Sequence, residues 1–102
     1  MKIPKRFDIG AFTFTVVFKK KLNKSGDCWG HSYMDSKIIY LATHTKGRRL
    51  LQREIDTTFW HEVMHCMLYQ MGHTLWESEA FVTAIGENLE QLVRTSQLDE
   101  LK

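Results

Sequence analysis

The chain has 102 residues, of which 43% are hydrophobic and 25% charged. That composition suits one globular domain, expected over residues 1–102, and excludes an intrinsically disordered chain. The net charge of +2 is unevenly divided: residues 1–53 carry twelve Lys and Arg against Asp8, Asp27 and Asp35, whereas residues 54–102 carry Arg94 and Lys102 against nine acids. In chain order, Ile3 to Ile9 reads as a short strand that Pro4 keeps at a sheet edge. Residues 11–18 alternate apolar residues with Thr and then finish apolar, the period of a strand rich in β-branched and aromatic residues. Lys19, Lys20, Lys21 and Lys24, followed by Ser25-Gly26-Asp27, mark a loop. Residues 28–34 predict a second strand, Asp35-Ser36-Lys37 a hairpin turn and residues 38–41 a third strand. Residues 43–47 read as a loop in which Thr43 or Thr45 is placed to cap the next element.

From about Arg48 the period changes. Leu50-Leu51, Ile55, Phe59, Val63 and Met67 recur every three to four residues, which predicts a helix ending at Gly72. A second helix is predicted from Thr74 or Leu75 to about Ser96, with Phe81, Val82, Ile85, Leu89, Leu92 and Val93 on its apolar face. Gly86 costs that helix roughly 1 kcal/mol relative to Ala, so its presence suggests close packing. Strands followed by helices predict an α+β domain: a small antiparallel sheet of three or four strands packed on a helix pair. No apolar run approaches the ~18–20 residues of a membrane span, and residues 1–8 lack the apolar stretch of a signal peptide. No membrane contact and a cytoplasmic location are expected. Cys28 and Cys66 make no disulfide framework and read as reduced thiols.

Inside the first helix stands His61-Glu62-Val63-Met64-His65, an H-E-x-x-H pattern. Residues i and i+4 share a helix face, so both imidazoles can bind one tetrahedral Zn²⁺. Glu62, on the adjacent edge, can reach a metal-bound water and take its proton as the water attacks a carbonyl. The apolar flanks, Phe59-Trp60 and Cys66-Met67-Leu68, bury the helix, and two His and a Glu are expensive to bury without partners. A catalytic zinc needs a third protein ligand and an open position. The metzincin spacing fails, because Leu68 and Met71 stand where its Gly and His belong. His73, Glu77 and Glu79 remain. About the turn at Gly72, Glu79 is level with His65 in an antiparallel helix pair, and Glu77 lies only ~3 Å lower, so height excludes neither.

Together, His61-Glu62-x-x-His65 and Glu77-Ser78-Glu79-Ala80-Phe81-Val82-Thr83-Ala84 resemble the small phage- and prophage-borne zincin-like metallopeptidases related to the ImmA/IrrE group. In that group the third zinc ligand is a Glu before an Ala on the next helix, in a motif like E-A-x-x-F-A. Glu79-Ala80 matches its first two positions, and Phe81-Val82-Thr83-Ala84 follows it loosely. The gap from His65 to Glu79 is shorter than in larger relatives, and Phe81 stands where they often have Asn. The opening Met1-Lys2-Ile3-Pro4 and residues 29–41 also look like the small phage proteins. The resemblance implies a zincin-like fold, Zn²⁺ held by His61, His65 and Glu79, Glu62 as general base, and hydrolysis of a peptide bond in a protein or peptide substrate.

Around the metal, the hairpin 28–41 is the expected strand edge for a substrate chain. His31, Tyr33, His44, Tyr69 and His73 are candidate orienting or oxyanion groups. Asp56, Ser78, Thr83 and Asn88 are candidate partners for the second imidazole nitrogens. Trp29, Trp60 and Trp76 read as core or pocket wall, and Cys66, turned about 100° from His65, as core. The alternative function is a binding module with a structural or idle zinc, whose basic N-terminal half contacts nucleic acid or an acidic protein. Against nucleic acid, the lysine cluster lacks the interleaved aromatics that single-strand binders use for stacking.

Overall fold

The computed structural model describes residues 1–96; the end of the expected single domain, residues 97–102, lies outside them. Six strands precede two helices: β1 (Arg6–Ile9), β2 (Phe12–Lys19), β3 (Gly30–Tyr33), β4 (Ile38–Ala42), β5 (His44–Thr45), β6 (Arg48–Arg49), α1 (Gln52–Gln70) and α2 (Glu79–Ser96). The α+β class is as expected. The main sheet has four strands in the order β1-β2-β4-β3, but it is mixed rather than antiparallel, because β2 and β4 run parallel. The cause is the lysine-rich loop. It is long enough to carry the chain past the β4 position to the far edge, where β3 forms before the turn at residues 34–37 returns the chain as β4. Asn23 shapes this loop, its Oδ1 accepting from the Gly26 and Cys28 amides.

The core lies between the sheet and α1. Phe14 and Val16 from β2, Ile39 and Leu41 from β4, and Ile55, Phe59, Val63 and Cys66 from α1 are buried together. Phe7 stacks on Phe14 and meets Phe59 edge-on, both at 5.8 Å between ring centres. Burial of each such side chain contributes about 1.5–3 kcal/mol. Residues 43–47 are not an open loop: β5 and β6 pair as a hairpin whose central Lys46 and Gly47 both have positive φ (47° and 86°), as a type I′ turn requires.

Neither Thr43 nor Thr45 caps α1. Thr45 Oγ1 donates to the Gly26 carbonyl, and α1 begins four residues later than the periodicity suggests. Its first turn is closed by Glu54, which accepts from the Leu51 amide at 2.8 Å while holding Arg48 through both carboxylate oxygens. Gly72, with φ 69°, ends the helix as expected. The next segment is not yet α2: Thr74–Glu77 forms a single 3₁₀ turn, after which Ser78 Oγ accepts from the Phe81 amide and starts the true helix.

The buried stripe of α2 also differs from the predicted apolar face. It is Val82, Gly86 and Glu90, while Phe81, Ile85 and Leu89 are half-buried and Leu92 is exposed. Hydropathy does not register a glycine that admits a neighbouring backbone, or a carboxylate whose charge is matched. Glu90 binds Arg94 at 3.0 Å on its own helix and Arg53 of α1 at 3.7 Å. A Cβ at Gly86 would lie 3.0 Å from the His61 amide nitrogen and Cα. Gly86→Val is therefore expected to destabilise the fold by about 1–3 kcal/mol through overpacking, despite better helix propensity. Urea unfolding checks this, and an unchanged midpoint would show that α2 can shift freely on α1. Among the described residues, no helix is long and apolar enough to cross a membrane.

Candidate metal centre

His61 and His65 occupy the face of α1 turned toward α2, with ring centres 4.8 Å apart. Their Nε2 atoms are 3.1 Å from each other. Glu79, the first residue of α2, closes the triangle: Oε2 is 3.0 Å from His61 Nε2 and Oε1 is 3.0 Å from His65 Nε2. A tetrahedral zinc with bonds of ~2.0–2.1 Å has ligand–ligand edges of about 3.3 Å, so the three side chains already approximate one face of such a site. Gly86 makes this possible by letting the helices approach at His61.

The donor atoms of the three side chains face one another. His65 Nδ1 is 2.6 Å from the Trp76 carbonyl, which only accepts, so Nδ1 carries a proton and Nε2 is the nitrogen turned toward Glu79. His61 Nδ1 lies 3.5 Å from Thr83 Oγ1. One cation at the centre would face all three donor atoms. The Glu79 side chain is 70% exposed, so the centre opens to solvent on the α2 side.

Glu62 is buried beside this triangle, with 6% of its surface exposed. Its Oε1 accepts from Ser32 Oγ at 2.5 Å. The edge strand β3 reaches it because Gly30 has no side chain: a Cβ there would stand 2.6 Å from Thr58 Cγ2 and 3.1 Å from Glu62 Cγ. Glu62 and His61 border two clefts. One, of about 280 Å³, contains the three-residue cluster and is walled by His31, Ser32, Met34 and Trp76. The other, of about 580 Å³, is walled by Trp29, Leu51, Thr57, Thr58 and Thr83.

Among the described residues, His61, His65 and Glu79 form a group able to hold a metal ion. Glu77 ends the 3₁₀ turn and lines the smaller cleft outside that group. His73 is directed elsewhere, its Nδ1 accepting from the Leu75 amide. Of the candidate orienting groups, His31 reaches the cleft wall, His44 bonds to Thr43, and Tyr69 packs edge-on against Trp76. Thr83 is the one of the four proposed imidazole partners that faces His61. Asp56 instead accepts from Gln52 and the Met1 amine, Asn88 donates to the Ala84 carbonyl, and Ser78 caps α2.

Trp29 lines the larger cleft, while Trp60 packs against the core. Cys66 is fully buried, and burial pushes its thiol up to about 11, so it stays protonated core. Two contacts of the candidate site escaped the sequence reading, the Trp76 carbonyl on His65 and Ser32 on Glu62. A backbone carbonyl leaves no sequence signal. Ser32 left a faint one, a polar residue at an inward position between His31 and Tyr33.

No protein-family model, curated protein or solved structure matches the chain.

Proposed function

We propose that the chain is a zincin-like, zinc-dependent peptide hydrolase. The observation that carries the proposal is the convergence of His61, His65 and Glu79 within tetrahedral spacing beside a buried Glu62 that Ser32 holds in place. In this reading His61, His65 and Glu79 hold Zn²⁺. When bound, the ion supplies a Lewis acid that polarises a carbonyl and brings the pKa of a coordinated water to about 7.

The remaining work falls to the chain's own groups. Glu62 takes a proton from the attacking water as its oxygen bonds to the peptide carbonyl carbon. The same carboxyl delivers that proton to the amine nitrogen as the C–N bond breaks. Ser32 fixes one oxygen of Glu62 and leaves the other for the proton. The Trp76 carbonyl sets the His65 tautomer, with Nε2 directed at the metal position. Among the described residues, the outer edge of β3 carries no partner strand in the sheet and passes alongside the clefts, so an extended substrate can add to it as a further strand.

Elemental analysis of the purified chain, paired with a peptide-library cleavage screen, tests the proposal. One zinc per chain is expected, with cleavage abolished by chelation and restored by zinc. A chain that takes up no stoichiometric zinc would overturn it.

A further inference from the structure

Among the described residues, the helix that packs on the main sheet, α1, covers one face. Alternation directs Phe14, Val16, Ile39, Leu41 and Ser32 toward α1, and turns the intervening residues the other way. On that outer face the register sets Val17, Tyr40 and His31 in one cross-strand row, with Ile38 and Tyr33 in the next. Tyr33 is 50% exposed. It is braced edge-on by Tyr40 at 5.6 Å and flanked by the His31 ring at 4.5 Å. Lys19 Nζ lies 4.8 Å from the centre of the Tyr40 ring. Lys21 and Asn23 from the adjoining loop join these aromatics around a cleft of about 650 Å³. The acid of that loop, Asp27, is engaged by Asn23 and Ser25.

We propose that this face binds a single strand of nucleic acid, with an unpaired base stacked on Tyr33 and the adjoining phosphates on Lys19 and Lys21. The charge is complementary to phosphate, and the rings supply what the lysine cluster lacks in sequence. Base–aromatic stacking together with a basic groove is the chemistry of sequence-tolerant single-strand binding. A duplex hides its base faces, and an acidic peptide would use the lysines and leave the rings idle. The face lies across the sheet from Glu62, with His31 bordering both clefts, so binding requires neither zinc nor hydrolysis.

The test is fluorescence anisotropy of the full chain with a labelled 12-nucleotide oligothymidine between 50 and 200 mM salt. Binding is expected to weaken with salt by a log–log slope of about −0.7 per phosphate contact. Tyr33→Ala should weaken it roughly tenfold or more, and Tyr33→Phe should restore it. Lys19→Ala with Lys21→Ala should flatten the salt slope by roughly 1–1.5. Glu62→Gln should bind like wild type, which separates this result from the fate of the hydrolase proposal. The proposal is overturned by no binding at 50 mM salt, by wild-type binding in Tyr33→Ala, or by equally strong competition from polyglutamate or a 12-base-pair duplex.

Discussion

Glu62→Gln is expected to keep zinc affinity within a few-fold of wild type and to reduce peptide hydrolysis by about 10²–10⁴-fold, the usual contribution of a general base. The substitution preserves shape, and the amide oxygen can still accept from Ser32 Oγ, which lies 2.5 Å from Glu62 Oε1. It removes only the ability to take a proton from water. Glu62 is outside the group able to hold the metal, so the metal should stay. Single-turnover cleavage of a substrate found by library screening, measured beside zinc content, separates the two effects. A zinc-loaded variant cleaving at a tenth of the wild-type rate or faster would remove Glu62 from the general-base role. Ser32→Ala, which frees the carboxylate without deleting it, should give a smaller loss confined to kcat.

Glu79→Ala is expected to weaken zinc binding on the order of a thousandfold, because it removes one of the three proposed protein ligands and the only anionic one among them. Glu77→Ala, two residues away, should change affinity by less than threefold. The contrast comes from local backbone structure. Glu77 ends a 3₁₀ turn, Ser78 caps the next helix, and Glu79 begins α2 with both oxygens 3.0 Å from the histidine Nε2 atoms. Competition titration against a chromophoric chelator measures both variants. A large loss in Glu77→Ala with Glu79→Ala near wild type would reverse the assignment and require the start of α2 to rotate. Because the same proposed ligands join α1 to α2, wild-type protein should also gain thermal stability on zinc loading, and Glu79→Ala should not.

The histidine spacing is legible without a structure because a helix places residues i and i+4 on one face whatever surrounds it. The same local rule exposes the two long helices, the β2 and β4 strands, the turn before β4 and the helix stop at Gly72. The third-ligand question is different in kind. Treating residues 74–96 as one helix puts Glu77 and Glu79 about 200° apart on opposite sides of the apolar face, so periodicity does not choose, and only the height match to His65 and the Glu-Ala resemblance favour Glu79. The break at Ser78 invalidates that geometry, since the two residues belong to different elements. The stripe of α2 that faces α1 defeats a hydropathy pattern for a related reason: Gly86 and Glu90 sit at its centre, and their fitness depends on the His61 backbone and on Arg53 across the interface.

The amino-acid sequence alone determined the α+β class, the helix that carries both histidines, and the chemical character of the candidate ligands. These rest on periodicities of two and 3.6 residues and on spacing within one element, which are local properties. Tertiary structure decided the parallel pairing of β2 with β4, the arrival of Glu79 at the histidines, the Ser32 contact to Glu62, and the assembly of Tyr33, Tyr40 and Lys19 on one open face. Each of these joins residues from separate elements. Their meeting depends on loop length, on strand order and on how closely backbones approach at Gly30 and Gly86, none of which a one-dimensional pattern encodes.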